Sequence, residues 1–298
     1  MRSRRTGRRP KVGAVYKKEL RSSFTTMTGP VAIAVMLFIA GYMFRTYNLA
    51  NGLSSVIYAV FNSSLIFYFV VPILSMRVFA EERRQRTDQL LFTAPVRLIE
   101  IILGKYFALV SVFTVPVLVV CTMPVMLRPL GGSTPALDYA GILVFFLMGC
   151  AYLSVGMFIS TLTENLIVSA ILNILFVAVT MMIHNAYSMI SGTVFTSMVF
   201  FVVLSVLIGA AVYAMTGFYW LSLGVLTVLA AVSLILSYME SEFITGSAEK
   251  VLGILDFYSH FESFVYETFS LTDIMYFISV AAVGIVLTHT SIVRRRWN

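Results

Sequence analysis

The sequence predicts an all-α membrane protein, a bundle of helices that crosses the bilayer several times. Of its 298 residues, 59% are hydrophobic and only 12% are charged. The hydrophobic residues form runs of about 20, the length that an α-helix needs to cross the hydrocarbon core of a bilayer. The basic residues are concentrated in a few segments between these runs, as they are in chains that cross a membrane repeatedly.

Residues 1–29 precede the first apolar run and consist of a basic arm followed by an amphipathic helix. Between Val12 and Phe24, apolar side chains recur every three or four positions, and the basic side chains lie mainly on the opposite side. This pattern is typical of an interfacial helix on the inner leaflet, with its cations near anionic head groups. A plain basic anchor without a further role is the alternative. The central residues of the predicted interfacial helix are Tyr16, Lys17, Lys18, Glu19 and Leu20.

Residues 30–293 form the transmembrane domain, in which the apolar runs predict eight spans. These cover residues 30–44, 56–76, 105–127, 139–160, 166–183, 198–215, 219–238 and 274–293. The two runs within 198–238 are joined so tightly around Gly217 that a re-entrant hairpin is an alternative to two full spans. We therefore expect a six-span core with an extra hairpin.

The distribution of charge predicts that both termini are cytoplasmic. With eight crossings, 18 of the 21 Lys and Arg residues fall on the side of the N-terminus, including three in the basic tail at residues 294–298. Arg45, Arg128 and Lys250 fall on the other side. Such asymmetry follows the positive-inside rule, and an odd number of spans would place the tail on the wrong side.

The longest external segment, residues 240–273, is acidic and partly apolar. Within residues 249–269 the apolar side chains follow helical spacing, which predicts an amphipathic helix against the outer end of the bundle. A lid and a merely packed helix are both compatible with this pattern. His260 and Glu262 are two positions apart and do not share a helical face, so no metal site is predicted there.

Several classes of function are excluded by missing motifs. The chain contains no phosphate-binding G-x-x-x-x-G-K-[ST] sequence and no recognisable hydrolase or zinc-protease motif. None of its 14 acidic residues lies near the centre of a predicted span, where an ion-coupled carrier would use one. We therefore predict no catalytic, cofactor-binding or metal-binding residues in this chain, and hence no enzymatic activity of its own.

The isolated polar residues within the spans have structural interpretations. Cys121 and Cys150 lie in apolar runs, as packing residues do. Asn62, Asn173 and His289 are predicted to form hydrogen bonds between helices in preference to contacting a substrate.

The segment from Val78 to Tyr106 carries five basic and four acidic residues between two apolar runs. Because it has no glycine or proline before its apolar centre, we expect the second span to continue beyond the membrane as a helix. Thr93 can cap a second helix that accommodates Pro95 in its first turn. The apolar tip between the two helices, Leu90, Leu91 and Phe92, predicts a docking site. Burial of this tip against the membrane surface is the alternative.

This segment resembles a known family. AEERRQRTDQLLFTAPV at residues 80–96 and LIEIILGK at residues 98–105 resemble the loop between the second and third spans of ABC-2 type permeases, the membrane subunits of ATP-binding-cassette exporters. STLTENLIVSAIL at residues 160–172 is similar to the family's entry to the fifth span, and DFYSHFESF at residues 256–264 resembles the subgroup related to gliding-motility permeases. Arg86 stands where family members carry glycine.

The resemblance implies that two such chains, identical or different, form an export pathway in a bacterial cytoplasmic membrane. Two separate ATPase subunits would bind below them, carrying the ATP and Mg²⁺, and residues 78–105 would act as the coupling segment. A membrane scaffold or sensor in an envelope or motility machine is the alternative function. No nucleic-acid partner is expected. The coupling residues implied are Glu81, Glu82, Arg83, Thr87, Asp88, Gln89, Leu90, Leu91, Phe92, Thr93 and Pro95.

Overall fold

A computed structural model describes residues 12–86, 97–131, 135–190, 223–224, 227, 256–266 and 270–296. The described residues contain helices and turns and no β-strand, as the composition predicts. The chain divides into two compact units, one of residues 1–179 with 260–298 and the other of residues 180–259. The features discussed below lie in the first unit unless stated otherwise.

The described helices can be given in chain order. They are α1 (Val12–Thr25), α2 (Thr28–Phe44), α3 (Ile57–Asn62), α4 (Phe67–Ser75), α5 (Ala80–Arg84), α6 (Leu98–Val120), α7 (Met123–Leu127), α8 (Pro135–Leu162), α9 (Leu166–Ile190), α10 (Phe257–Val265) and α11 (Leu271–Arg296). A π-helical turn, Arg45–Ala50, extends α2, and a 3₁₀ turn, Ser63–Ile66, connects α3 with α4.

Six of the described helical stretches are long and apolar enough to cross a membrane, so the protein is a multi-pass membrane protein. Numbered in chain order, spans 1 to 6 are Thr28–Ala50, Ile57–Arg84, Leu98–Leu127, Ala136–Leu162, Leu166–Ile183 and Leu271–Arg294. All six confirm predicted apolar runs. Span 5 keeps the predicted bounds, and the ends of the other spans lie up to eight residues away from the predicted ones, as at Arg84 in place of residue 76. The predicted spans at residues 198–215 and 219–238 fall outside the described residues, apart from 223, 224 and 227.

Aromatic side chains fill the space between spans 2, 3 and 4. The ring of Phe67 lies 5.0 Å from the rings of both Phe145 and Tyr152, and 6.1 Å from that of Phe113, measured between centroids. All four side chains are buried. Tilted ring pairs at such distances contribute beyond their buried area. These contacts make span 4 the central element of the described bundle.

Span 6 packs tightly against span 4 at Gly284. A Cβ atom built on Gly284 would lie 2.9 Å from the backbone carbonyl carbon of Ser154 and 2.5 Å from its Oγ. Only a residue without a side chain allows the two backbones to approach so closely, as in the small-residue contacts of other membrane helices. The close approach fixes the position of span 6 against span 4.

Two polar contacts organise the connection between spans 1 and 2. The Asn48 side chain donates hydrogen bonds to the carbonyl groups of Leu53 and Ser55, at 2.9 and 2.8 Å. Buried Asp138, at the start of span 4, accepts hydrogen bonds from the Ser55 hydroxyl at 2.6 Å and the Val56 amide at 3.0 Å. The carboxylate therefore satisfies a backbone donor where span 2 begins.

Helix α10 lies within the acidic segment predicted to be amphipathic, and it buries one apolar side. Phe261, Phe264 and Val265 are buried, and the Phe261 ring lies 5.4 Å from the ring of Phe61 in span 2. Nδ1 of His260 lies 2.6 Å from Oδ1 of Asp273, and the imidazole stacks on Tyr276. His260 is thus bound to a carboxylate of span 6, whereas Glu262 is not part of that pair.

The structure corrects the prediction that the second apolar run continues beyond the membrane as one uninterrupted helix. Helix α4 ends at Ser75, and α5 begins only at Ala80, after four residues in turn conformation. We call residues 76–79 the joint. No residue of the joint is glycine or proline, and we attribute the interruption to the residues of other spans that bond to its backbone.

The interhelical hydrogen bonds predicted for two asparagines are also absent from the described residues. The side-chain amides of Asn62 and Asn173 instead donate to the carbonyl groups of Tyr58 and Ser169, four residues earlier in their own helices. Short polar side chains in helices commonly return to their own backbone in this way. Cys121 and Cys150 are both free thiols, and Cys150 is buried.

Candidate functional site

The ends of several helices meet at one end of the bundle, which we call the basic end. It comprises α1, the joint, α5, the beginning of α6, the turn at residues 163–165 between spans 4 and 5, and the last turns of α11. Ion pairs and hydrogen bonds connect these elements. Most of the charged residues predicted to form the coupling segment lie here or in residues 87–96, which fall outside the described residues.

Lys105 occupies the centre of the basic end. Its side chain is 2% exposed, and its Nζ atom lies 2.7 Å from Oε1 of Glu82 and 3.6 Å from Oε1 of Glu19. The same ammonium group donates a hydrogen bond of 2.7 Å to the carbonyl oxygen of Val78 and lies 4.8 Å from the ring centre of Phe79. Burial of an ammonium group is costly unless several acceptors surround it, as here. We refer to Glu19, Glu82 and Lys105 as the buried ion cluster.

Helix α1 reaches this cluster because it packs closely on span 3. A Cβ atom on Gly104 would lie 3.0 Å from Cβ of Val15, so glycine allows α1 to lie against α6. The Tyr16 hydroxyl lies 2.9 Å from the Ser111 hydroxyl of the same span. These contacts direct Glu19 towards Lys105.

The outer side of α1 is exposed and cationic, with Lys17, Lys18 and Arg21 all exposed. Leu20 is half-buried. The sequence analysis placed Tyr16 on the apolar side of an interfacial helix, and the structure directs its hydroxyl to a serine of span 3. Helix α1 is therefore a packed part of the bundle as well as a basic segment.

The joint is held open by a serine of span 4. The Ser160 Oγ atom accepts hydrogen bonds from the amides of Phe79 and Ala80, both at 3.1 Å, and donates one to the carbonyl oxygen of Met76 at 3.2 Å. A hydroxyl group can accept two bonds and donate one, so all three contacts are compatible. With the bond from Lys105 to Val78, side chains of two other spans satisfy backbone groups that an uninterrupted helix would pair internally.

Arg83 connects α5 to the turn between spans 4 and 5. Its Nη1 atom donates a hydrogen bond of 2.9 Å to the carbonyl oxygen of Thr161, and Nη2 lies 2.6 Å from Oε1 of Glu164. Thr161 in turn places its hydroxyl 2.9 Å from that of Ser291 in α11. A chain of polar contacts therefore runs from α5 through the end of span 4 to the end of span 6.

Of the predicted coupling residues, Glu81, Glu82 and Arg83 lie in α5, and only the last two contact other spans in the described structure. Glu81 lies 4.0 Å from Nε of Arg77, one helical turn earlier. The other eight fall outside the described residues: Thr87, Asp88, Gln89, Leu90, Leu91, Phe92, Thr93 and Pro95.

No role was predicted from the sequence for Lys105, Ser160, Thr161 or Glu164. Lys105 was placed at the boundary of span 3, where a lysine before an apolar run is the ordinary pattern, and no sequence signal pairs it with Glu19 and Glu82. Ser160, Thr161 and Glu164 lie within a segment noted only for its resemblance to ABC-2 permeases. No sequence pattern indicates that the Ser160 hydroxyl reaches the joint.

Helix α5 is followed closely by a residue in an unusual backbone conformation. Arg86 has a φ angle of 55°, in the left-handed region, and its amide donates to the carbonyl oxygen of Arg83 at 3.0 Å. Glycine is the usual residue at this position because it has no Cβ atom to strain the turn. ABC-2 type permeases, which this segment resembles, have glycine at the position of Arg86, and glycine is the residue that a left-handed backbone favours.

Replacing Arg86 with glycine should raise the free energy of unfolding by about 0.5 to 1 kcal/mol, since the left-handed strain is removed. Arg84→Gly is the matched control, because Arg84 is exposed but lies in the right-handed helix α5. That variant should lose a similar amount. Thermal unfolding of the detergent-solubilised protein measures both effects, and an equal response of the two variants would contradict the assignment.

No protein-family model, curated protein or solved structure significantly matches the chain.

Proposed function

We propose that this chain is the membrane subunit of an ATP-binding-cassette exporter, and that a separate ATPase subunit docks on residues 81–100 at the basic end. The observation that carries the proposal is the resemblance of residues 80–96 and 98–105 to the coupling loop of ABC-2 permeases. Energy would come from the partner, because the sequence has no phosphate-binding motif. A second permease chain, identical or related, would complete the pathway.

The geometry of the basic end supports a docking role for residues 81–100, which we call the docking loop. Both ends of the segment, α5 and the start of α6, are joined through the pair of Glu82 with Lys105. A docking element transmits force only if its base is firmly held, and a buried, multiply bonded lysine provides such a base.

The distribution of charges supports a cytoplasmic orientation of the basic end. Within the described residues, this end carries the basic residues of α1, α5 and the last turn of span 6, whereas Arg45 and Arg128 lie at the other ends of spans 1 and 3. By the positive-inside rule, this distribution supports a cytoplasmic position of the basic end, where an ATPase subunit is accessible. The bacterial cytoplasmic membrane is the location that follows from the resemblance.

The first test is affinity purification of the tagged full chain from its native membrane. An ATPase subunit should be recovered in near-equal amount, and its consistent absence would overturn the proposal. Leu90→Asp combined with Leu91→Asp should lower that recovery by about tenfold or more, because charge is introduced into an apolar contact. Asn51→Asp, which introduces a charge at an exposed position in the connection between spans 1 and 2, is the control and should leave recovery unchanged.

A non-transporting scaffold or sensor is the second candidate. The aromatic packing between spans 2, 3 and 4 favours it to the extent that this interior is filled by the chain's own side chains. Reconstitution of the complex in vesicles separates the two functions. Directional movement of any substrate on addition of ATP excludes the scaffold, and ATP hydrolysis insensitive to every lipid, peptide or drug supplied supports it.

A further inference from the structure

The interruption of span 2 changes the route by which movement of the docking loop can enter the membrane. A helix transmits displacement along its axis through continuous hydrogen bonds between residues i and i−4. At the joint this continuity is lost, because the amides of Phe79 and Ala80 are bonded to Ser160 of span 4. Helix α5 is therefore not the rigid extension of α4.

Helix α5 is instead fastened sideways to span 4 and to the turn that follows it. The Ser160 hydroxyl holds its first residue, and the Arg83 guanidinium holds the Thr161 carbonyl and the Glu164 carboxylate near its last. Helix α5 is only five residues long, and both of its ends therefore bond to span 4 or to the turn that follows span 4. Any rotation of α5 must displace the inner end of span 4 or break these bonds.

From span 4 the contacts continue to span 6. The Thr161 hydroxyl lies 2.9 Å from the Ser291 hydroxyl, and two helical turns further on Ser154 contacts Gly284 at close range. Packed elements of this kind move together, since their interiors are close to incompressible.

We infer that Ser160 and Arg83 are positioning residues that direct movement of the docking loop into spans 4 and 6, and not along span 2. This inference rests on the proposed function, because it assumes that an ATPase moves the loop. It also gives a role to the STLTEN segment, whose resemblance alone assigned none. The lysine of the buried ion cluster also binds the joint, through the Val78 carbonyl, and links span 3 to α5 through Glu82.

The joint itself can be tested on the chain without any partner, by amide hydrogen exchange over residues 76–84. Ser160→Ala should accelerate exchange at Phe79 and Ala80 by about tenfold, because two backbone donors lose their acceptor. Slower exchange would mean that residues 76–79 become helical once the Ser160 hydroxyl is removed. That result would also show that this hydroxyl maintains the interruption. Exchange equal to that of the unmodified chain would overturn the inference.

Ser154→Ala is the matched control, since Ser154 is equally buried in the same helix but its hydroxyl bonds to Ala151 in that helix. It should leave the two amides unchanged. If Ser160→Ala does not fold, two other variants are used. Ser160→Thr keeps the hydroxyl group and should leave exchange at the two amides unchanged. Arg83→Gln, at a half-buried position, removes the bonds of α5 to Thr161 and Glu164. Arg83→Gln should accelerate exchange in the turn at residues 163–165.

Transmission of movement from the docking loop to spans 4 and 6 is tested on the complex with its ATPase subunit. Addition of ATP should change exchange at residues 163–165 and near Ser291, and Ser160→Ala with Arg83→Gln should reduce that response by about tenfold. Ser64→Ala, which removes a buried hydroxyl bonded to Phe61 in span 2, should preserve it. An undiminished response in the double variant would overturn the inference. Failure to recover any ATPase would count against the proposed function, and the exchange experiment on the isolated chain would still decide the joint.

Discussion

Replacement of Lys105 with methionine should lower the free energy of unfolding by about 3 to 5 kcal/mol, the largest single effect expected in this protein. The side chain of methionine fits the space of the lysine stem but provides no charge. Glu82, 19% exposed, and Glu19, 21% exposed, would then share a poorly solvated site without their ammonium partner, and the Val78 carbonyl would lose its donor. A drop of about 6 °C or more in the thermal midpoint is expected in detergent.

The matched control is Lys18→Met, because Lys18 is also paired with Glu19, at 4.0 Å, but is 76% exposed. Its removal should change stability by less than about 0.5 kcal/mol. In the combined variant with Glu19→Gln and Glu82→Gln, Lys105→Met should recover most of the loss, since no carboxylate is left unpaired. Equal midpoints for Lys105→Met and Lys18→Met would show that the cluster does not hold the basic end together.

Replacement of Gly284 with alanine should destabilise the protein by about 1 to 3 kcal/mol, because spans 4 and 6 must separate to admit one methyl group. The atoms in the way include the Ser154 carbonyl carbon and Cβ, at 2.9 and 3.0 Å, which cannot turn aside as a flexible side chain could. The loss of stability is measured as a lower thermal midpoint, which is followed by the reaction of the buried Cys150 thiol with a fluorogenic maleimide during heating.

Gly41→Ala provides the comparison within the same fold. A Cβ atom on Gly41, in span 1, meets no atom within 4 Å, so that variant should stay within about 0.5 kcal/mol of the unmodified chain. Addition of Ser154→Gly to Gly284→Ala should restore part of the stability by removing Cβ and Oγ from the contact. Indistinguishable midpoints for the two glycine variants would contradict the close packing of span 6.

The spans of the described bundle could be predicted from sequence because each is a local property. A run of about 20 apolar residues is sufficient to define a crossing, and flanking charges orient it. The amphipathic character of α10 was readable for the same reason, since Phe261 and Phe264 repeat at helical spacing. Features that depend on residues close together in the chain could therefore be predicted from the sequence.

The joint could not be predicted because its cause is about 80 residues away. Residues 76–79 have good helix-forming neighbours, and only the approach of Ser160 gives their amides an alternative acceptor. Lys105 illustrates the same limit. Its sequence position suggests a membrane boundary, whereas its burial depends on Glu19 from α1 and Glu82 from α5 arriving at one point.

The contacts of the basic end also impose an order on biosynthesis. Glu19 and Glu82 precede Lys105 in the chain, so when span 3 emerges from the ribosome both carboxylates are already present to receive its ammonium group. Ser160 is made about 80 residues after the joint that it holds. Span 2 must therefore enter the membrane before its interruption has a partner, and the joint acquires its final form only when span 4 is inserted beside it.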